Sequence, residues 1–155
     1  MITAQIDPVS MRKLEKDLKS LVPEAQKKFF KLASVAIYKD VIGHFEKERG
    51  PEGKWKRFKW PDGKIRNTRP TKRGGNKMLQ DTGRLKGSIV PFVESGAAGA
   101  RTNLEYAGFH NDGTSSKITK RELIPKREFA YVDDATMTKL EEYLVKEIER
   151  EWKAG

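Results

Sequence analysis

Between Glu24 and Glu48, the residues Phe29, Leu32, Ala33, Ala36, Ile37, Val41, His44 and Phe45 recur at spacings of three and four. That is a helical period, because residues three or four apart share a face at 3.6 residues per turn. Lys27, Lys28, Lys31, Lys39, Lys47 and Glu48 fall on the other faces. A helix of this length with so broad an apolar stripe needs a second layer to cover it. Ala33 and Ala36 let that layer approach closely. His44 lies inside the stripe, where a buried and hydrogen-bonded ring is expected. Pro23 can open the helix, with Glu24 in the first turn suiting the helix dipole, and Gly50-Pro51 is expected to end it.

The flanks supply what the stripe needs. Ile2, Ala4 and Ile6 alternate with polar residues as in a short strand, and Asp7-Pro8 reads as an N-cap with proline at the first helical position. Leu14, Leu18 and Leu21 then share a face, until Val22-Pro23 interrupts the helix. Further on, Asp81-Thr82-Gly83 can cap a single turn at Arg84-Leu85-Lys86. Ser88–Glu94 reads as a strand that Pro91 restricts to an edge or a bulge, and Ser95-Gly96 turns it into Ala97–Thr102. A short helix is expected over Asn103–His110 with Asn103 as its N-cap, followed by a polar loop over Asn111–Ser116. Leu123-Ile124-Pro125 and Phe129–Val132 are short apolar islands. A final helix starts at Asp133 or Asp134 and carries Met137, Leu140, Leu144, Ile148 and Trp152 on one stripe. The expected class is α+β: long amphipathic N- and C-terminal helices on a small, mostly antiparallel sheet. With 155 residues and no internal repeat, one domain over 1–155 is the simplest organisation.

The segment that fits no regular element is also the most charged. Lys54–Lys86 holds 12 Lys or Arg against Asp62 and Asp81, which equals the whole formal charge of +10 and leaves 20 bases and 20 acids elsewhere. Pro51, Gly53, Pro61, Gly63, Pro70, Gly74 and Gly75 punctuate it too often for a long helix or strand, so a long basic loop is expected over about 54–78. Lys54, Lys56, Arg57, Lys59, Lys64, Arg66, Arg69, Lys72, Arg73 and Lys77 are its contact candidates. Trp55, Phe58 and Trp60 interleave with these bases, a mixture that can neutralise phosphate and stack on bases. The same residues serve equally as anchors, with Trp55 and Phe58 fixing the loop to the core and the lysines solvated. No helix-turn-helix, RRM or zinc-finger pattern supports sequence-specific readout.

Catalytic chemistry is poorly supplied. Cysteine is absent, which removes thiol nucleophiles, thiolate metal sites and disulfides. His44 and His110 are the only histidines, and neither has a zinc-type spacing. A triad can be drawn from Ser115, His110 and Asp112, but triads are defined by geometry rather than by sequence neighbourhood. Arg73-Gly74-Gly75-Asn76-Lys77 lacks the phosphate-loop spacing. The expectation is therefore no enzyme, no cofactor, no metal and no small-molecule substrate. No run of about 18 apolar residues exists to span a membrane, and Met1–Asp7 lacks the features of a secretory signal, so a cytosolic chain is the default.

Four islands, in order, carry a resemblance. They are His44-Phe45-Glu46 through Gly50-Pro51-Glu52-Gly53-Lys54-Trp55; Leu79 through Thr82-Gly83-Arg84-Leu85 to Ser88-Ile89; Thr102-Asn103-Leu104-Glu105-Tyr106-Ala107 through His110 to Gly113; and Ile124-Pro125-Lys126-Arg127-Glu128-Phe129. With the C-terminal helix that follows, this arrangement resembles the virion-morphogenesis or tail-completion proteins of Mu-like and related tailed phages. Lys126 stands where that family has a small residue, and Asn111-Asp112 where it has a Gln-aromatic pair. The residues matching the motifs are Trp55, Thr82, Gly83, Leu85, Ser88, Tyr106, Ala107, His110, Gly113, Pro125, Arg127 and Phe129, and their expected roles are structural. Thr82-Gly83 turn the chain so that Leu85 plugs the core, Tyr106 and Ala107 pack a short helix, and His110 and Gly113 fix the loop leaving it. Pro125 sets a rigid entry, Arg127 pairs with a carboxylate or carbonyl, and Phe129 anchors the last crossing.

The resemblance implies a structural protein of the virion tail or neck, assembled in the host cytoplasm. It would complete the tail or join it to the head as a ring of identical subunits. Six subunits would match tail symmetry, and other tail or neck proteins would be partners. The basic loop would then dock on an assembly partner, with nonspecific DNA contact as the other reading. A general nucleic-acid-binding protein using residues 54–77 is the alternative function.

Overall fold

The structure, a computed structural model, describes residues 2–4, 8–19, 21–57, 77–80, 82–94, 96–115 and 122–154. In chain order the elements are β1 (Ile2–Ala4), α1 (Pro8–Lys19), α2 (Pro23–Lys47), β2 (Arg49–Gly50), β3 (Gly53–Lys54), α3 (Arg84–Gly87), β4 (Val90–Glu94), β5 (Ala97–Thr102), α4 (Ala107–Asp112), β6 (Thr114–Ser115), β7 (Glu122–Ile124) and α5 (Asp134–Ala154). The class is α+β. Three antiparallel strands in the order β1-β5-β4 form the main sheet, and β2-β3 and β6-β7 are two-stranded ribbons.

The long helix α2 organises the rest. Val22 is extended (φ −65°, ψ 152°), as a residue before proline prefers, and Pro23 begins the helix. The Gln26 side-chain amide donates to the Leu18 and Leu21 carbonyls at 3.0 and 2.8 Å, tying the end of α1 to the start of α2. Ala25, Phe29, Ala33, Ile37, Val41, His44 and Phe45 are buried along one face. Leu32 is not on that face and is 37% exposed, so the covered stripe is narrower than the sequence implies. The helix also stops earlier than Gly50-Pro51. Glu48 takes the left-handed conformation (φ 51°, ψ 43°), its N–H bonds the His44 carbonyl, and Gly50 lies in β2.

α2 lies against β5 and β4. β5 reads Ala-Ala-Gly-Ala-Arg-Thr, and its small residues let the helix approach the middle of the sheet. Pro91 is on β4, an edge strand, opposite Ala100. The strand starts at Val90 rather than Ser88, because Ser88 is spent closing α3: its hydroxyl donates to the Leu85 carbonyl at 2.7 Å and lies 2.6 Å from the Thr102 hydroxyl. Gly83 (φ 71°) precedes that turn, the Thr82 hydroxyl accepts the Arg84 N–H at 3.3 Å, and Leu85 is buried.

The helix expected over Asn103–His110 begins only at Ala107, with Tyr106 rather than Asn103 at its N-cap position. The Thr102 hydroxyl instead accepts the Leu104 N–H at 3.3 Å, which turns the chain before the helix forms. The helix runs on through Asn111-Asp112, and Thr114–Ser115 pair with β7, so the expected polar loop is largely regular structure. The C-terminal helix begins at Asp134, with the Asp133 carbonyl accepting the Thr136 and Met137 amides. Leu140 and Leu144 are buried, whereas Trp152 is 86% exposed and lies outside the core.

Candidate functional site

The two roots of the basic segment lie together at the C-terminal end of α2. On the outgoing side, the β2-β3 ribbon folds back so that the Trp55 N–H bonds the Glu48 carbonyl at 2.8 Å. Trp55 is buried, edge-on to Phe45 with ring centroids 5.7 Å apart, and its Nε1 donates to the Glu128 carbonyl at 3.1 Å. Phe45 also packs on Phe129, 5.0 Å between centroids. Such aromatic pairs add about 0.5–1.5 kcal/mol each beyond the area they bury. Gly50 fits closely here: a Cβ would stand 3.0 Å from the Glu128 carbonyl oxygen and 3.3 Å from Trp55 Nε1, tighter than ordinary contact. Arg127 pairs with a carbonyl: its Nε donates to Lys56 O at 3.2 Å. On the returning side, Lys77 and Lys86 both reach the Glu46 carboxylate, the Met78 N–H bonds the Glu48 carboxylate, and the Gln80 amide donates to Phe45 O at 2.7 Å. The hydrogen bonds from Lys77 and then Lys86 hold the Glu46 carboxyl down at about 2.

Lys54, Lys56 and Arg57 are exposed on this platform, and Lys77 is half-exposed in its ion pair. Phe58, Lys59, Trp60, Lys64, Arg66, Arg69, Lys72 and Arg73 lie outside the described residues. Lys126 bridges Glu128 at 2.7 Å and Glu52 at 3.5 Å, and lines a pocket of about 110 Å³ beside the ribbon.

The remaining motif residues pack the fold around this platform. Ala107 and Phe129 are fully buried, and Pro125 is buried where the chain leaves β7. Tyr106 meets His110 edge-on at 6.1 Å. The His110 carbonyl accepts the Arg127 N–H at 2.8 Å, which joins two of the islands. Burial, then the Arg127 charge, lowers the His110 pKa, and its Nδ1 has no hydrogen-bond partner. Among the described residues, no carboxylate bonds that nitrogen, as one does in a triad. Asp112 accepts from the Asn111 amide at 2.8 Å, and the Asn111 oxygen caps the Phe129 and Ala130 N–H groups at 3.1 Å.

Two features escaped the sequence reading. One is a shallow groove of about 520 Å³ on the outer side of α2, floored by Leu32, Val35, Ala36 and Tyr143 and rimmed by Lys28, Lys31 and Lys39. The other is a polar cluster behind Phe129. His44 is fully buried, with Nδ1 2.9 Å from Phe129 O and Nε2 3.5 Å from both Asp40 Oδ1 and Asp133 Oδ2. The Tyr131 ring stacks on it at 3.8 Å and 3°. Burial and the Asp133 charge push the Tyr131 phenol well above its ordinary value. Burial works against charge on Asp40, but His44 and the Asp133 amide outweigh it and hold the carboxyl below its ordinary value. The legible signal was Asp40 and His44 at i, i+4 on one helix face; Asp133 lies too far along the chain to be paired with them by spacing.

No helix among the described residues is long and apolar enough to cross a membrane. No curated protein and no solved structure matches the chain significantly. A family model does, over residues 9–149, taking in α2, α5 as far as residue 149, the root platform and all four islands. On that match the chain belongs to the phage virion morphogenesis family.

Proposed function

We propose that this chain is a non-enzymatic assembly protein that completes the tail or joins it to the head as a closed ring of identical subunits. The family match over residues 9–149 carries the assembly role. A ring needs two different, complementary patches on each subunit, so that one subunit's first patch meets the next one's second. The described surface offers such a pair. The α2 groove has an apolar floor and a lysine rim. On α5, Glu142, Val145, Glu149 and Trp152 are all exposed at spacings of three, four and three, forming one apolar and acidic stripe. Leu140 and Leu144 point that helix's other side into the core, so the stripe faces away from its own subunit. Its apolar residues fit the groove floor and its carboxylates fit the lysine rim. The stripe of one copy fills the groove of the next.

The basic segment rooted at Arg57 and Lys77 docks on an acidic surface of a neck or tail partner. Binding to DNA that weakens steeply with salt, and weakens again when Lys56, Arg57, Arg69 and Arg73 are neutralised, would replace that reading with nucleic-acid contact.

The absence of native cysteine makes the subunit contact directly testable. Val35→Cys with Val145→Cys, oxidised in solution or in purified particles, is expected to give a ladder of covalent multimers of the 17.7 kDa chain. Neither single variant should extend beyond a dimer. A doubly substituted chain that stays monomeric while particles still incorporate it would remove this interface. Particles that assemble normally without the protein would remove the function.

A further inference from the structure

The cluster between α2 and the head of α5 has three electron-rich groups facing one another. A carbonyl oxygen can only accept, so the 2.9 Å contact of His44 Nδ1 with Phe129 O places the hydrogen on Nδ1. Nε2, on the other side of the ring, faces Asp40 Oδ1 and Asp133 Oδ2, each 3.5 Å away. Nε2 is buried with no hydrogen-bond partner. Both oxygens stand at the same distance from it. That distance is close to the edge of a tetrahedron whose corners lie about 2.0–2.2 Å from a central ion, as zinc's nitrogen and oxygen ligands do.

We propose that Asp40, His44 and Asp133 bind a divalent transition-metal cation of the zinc class, as a structural staple. The three ligand atoms lie within 4.8 Å of one another, close enough for one ion to reach all of them. The groups behind them are those expected of a metal site. The ring donates its other N–H to a backbone carbonyl, and Asp40 Oδ2 accepts the Asp133 N–H at 2.7 Å, fixing that carboxylate. Tyr131, stacked on the imidazole, covers one face of the ring. An imidazole ligand disfavours magnesium and calcium, which seek oxygen donors. The staple would tie α2 to the segment entering α5. It does not depend on ring formation, so either idea can fail without the other.

The test uses the full chain, stripped with a chelator and titrated with zinc ions, with magnesium as the control. One equivalent of zinc should bind and raise the melting temperature, magnesium should not, and cobalt(II) should show the visible bands of a tetrahedral site. His44→Gln risks the fold, so the diagnostic variant is Asp133→Asn, whose side chain is 28% exposed and whose helix-starting bonds come from its backbone carbonyl. It should keep the metal-free melting temperature and lose more zinc affinity than the roughly 10–100-fold that removing an outer-shell partner costs. His110→Gln should bind zinc as the unaltered chain does. Zinc binding retained by Asp133→Asn would overturn the proposal. So would a melting temperature indifferent to zinc but lowered by Asp133→Asn without metal, because a protonated His44 ion pair would then account for the cluster.

Discussion

The two sides of α2 show how one helix divides its work. Its inner side and C-terminal end are fully committed: Phe45, His44, Glu46 and Glu48 hold Phe129, Trp55, Lys77, Lys86 and Met78, which are distant in sequence. The outer side, from Lys28 to Lys39, has an apolar floor that no described residue of the chain covers beyond Tyr143. Both carry large apolar side chains, yet Phe45 is completely buried while Val35 is 41% exposed. Apolar area left in water contributes nothing to folding, whereas covered by another subunit it can drive association. The committed end sets the fold, and the open side is available for assembly.

Breaking the committed end should have the largest effect. Phe129→Ala removes the ring between Phe45 and the polar cluster and should cost about 3–5 kcal/mol, measured by urea unfolding. A loss below about 1 kcal/mol would mean that the aromatic cluster does not anchor the last crossing. Gly113→Ala comes next. Gly113 sits at φ 75° and ψ 171°, a region nearly confined to glycine, and a Cβ would meet the Lys126 nitrogen at 2.8 Å. Strain alone predicts about 1–3 kcal/mol, and the backbone clash adds to it.

Glu46 gives a smaller effect with a defined sign. Its carboxyl is held near 2 when folded, against an ordinary 4.5, so the unfolded chain binds more protons between those values. The contribution is complete above about pH 4.5 and fades as pH falls towards 2. Because the side chain is 46% exposed, solvent screening reduces it to about 1 kcal/mol or less. Glu46→Gln should therefore flatten the acid limb of the stability curve and change little at pH 7 beyond that amount. An acid limb identical in the two proteins would show that the Lys77 and Lys86 pairs do not hold the returning chain.

The committed end was the more legible in sequence, for physical reasons. Periodicity identified α2 and α5, and Pro91 correctly announced an edge strand, because both signals are local. Arg127 was expected to pair, and does, but its partner Lys56 O lies 71 residues away and has no sequence signature. The short helix after β5 was misplaced because the Thr102 hydroxyl competes locally for the Leu104 amide. The open side is less legible for a different reason. Leu32 fits the apolar period of α2 and Trp152 that of α5, yet both are exposed. Periodicity reports that a residue is apolar at helical spacing; it does not report whether its own chain covers it. The polar cluster had half a signal, Asp40 and His44, and needed the fold to bring Asp133 to it.

The open side supplies the sharpest contrast, through a change that should leave stability almost untouched. Leu32→Glu with Val35→Glu places one carboxylate four residues after Lys28 and another four residues from both Lys31 and Lys39. Glutamate is at least as good a helix former as valine, and each such pair contributes about 0.2–0.5 kcal/mol, which offsets the modest loss of partly buried apolar area. The net change in unfolding free energy is expected within about 0.5 kcal/mol. Association is expected to fail altogether, because the groove floor would be charged rather than apolar, and its carboxylates would take the rim lysines that otherwise meet Glu142 and Glu149 of the next subunit. Replacing those two with lysine in the same chain restores complementarity and should restore the multimer, read by mass in solution and by incorporation into particles. A helix change that spares folding, abolishes the multimer and is rescued by its charge complement cannot be attributed to damaged packing. If the doubly acidic variant still forms multimers, the covering surface lies elsewhere, and the exposed Val90 and Val93 of edge strand β4 are the next place to look.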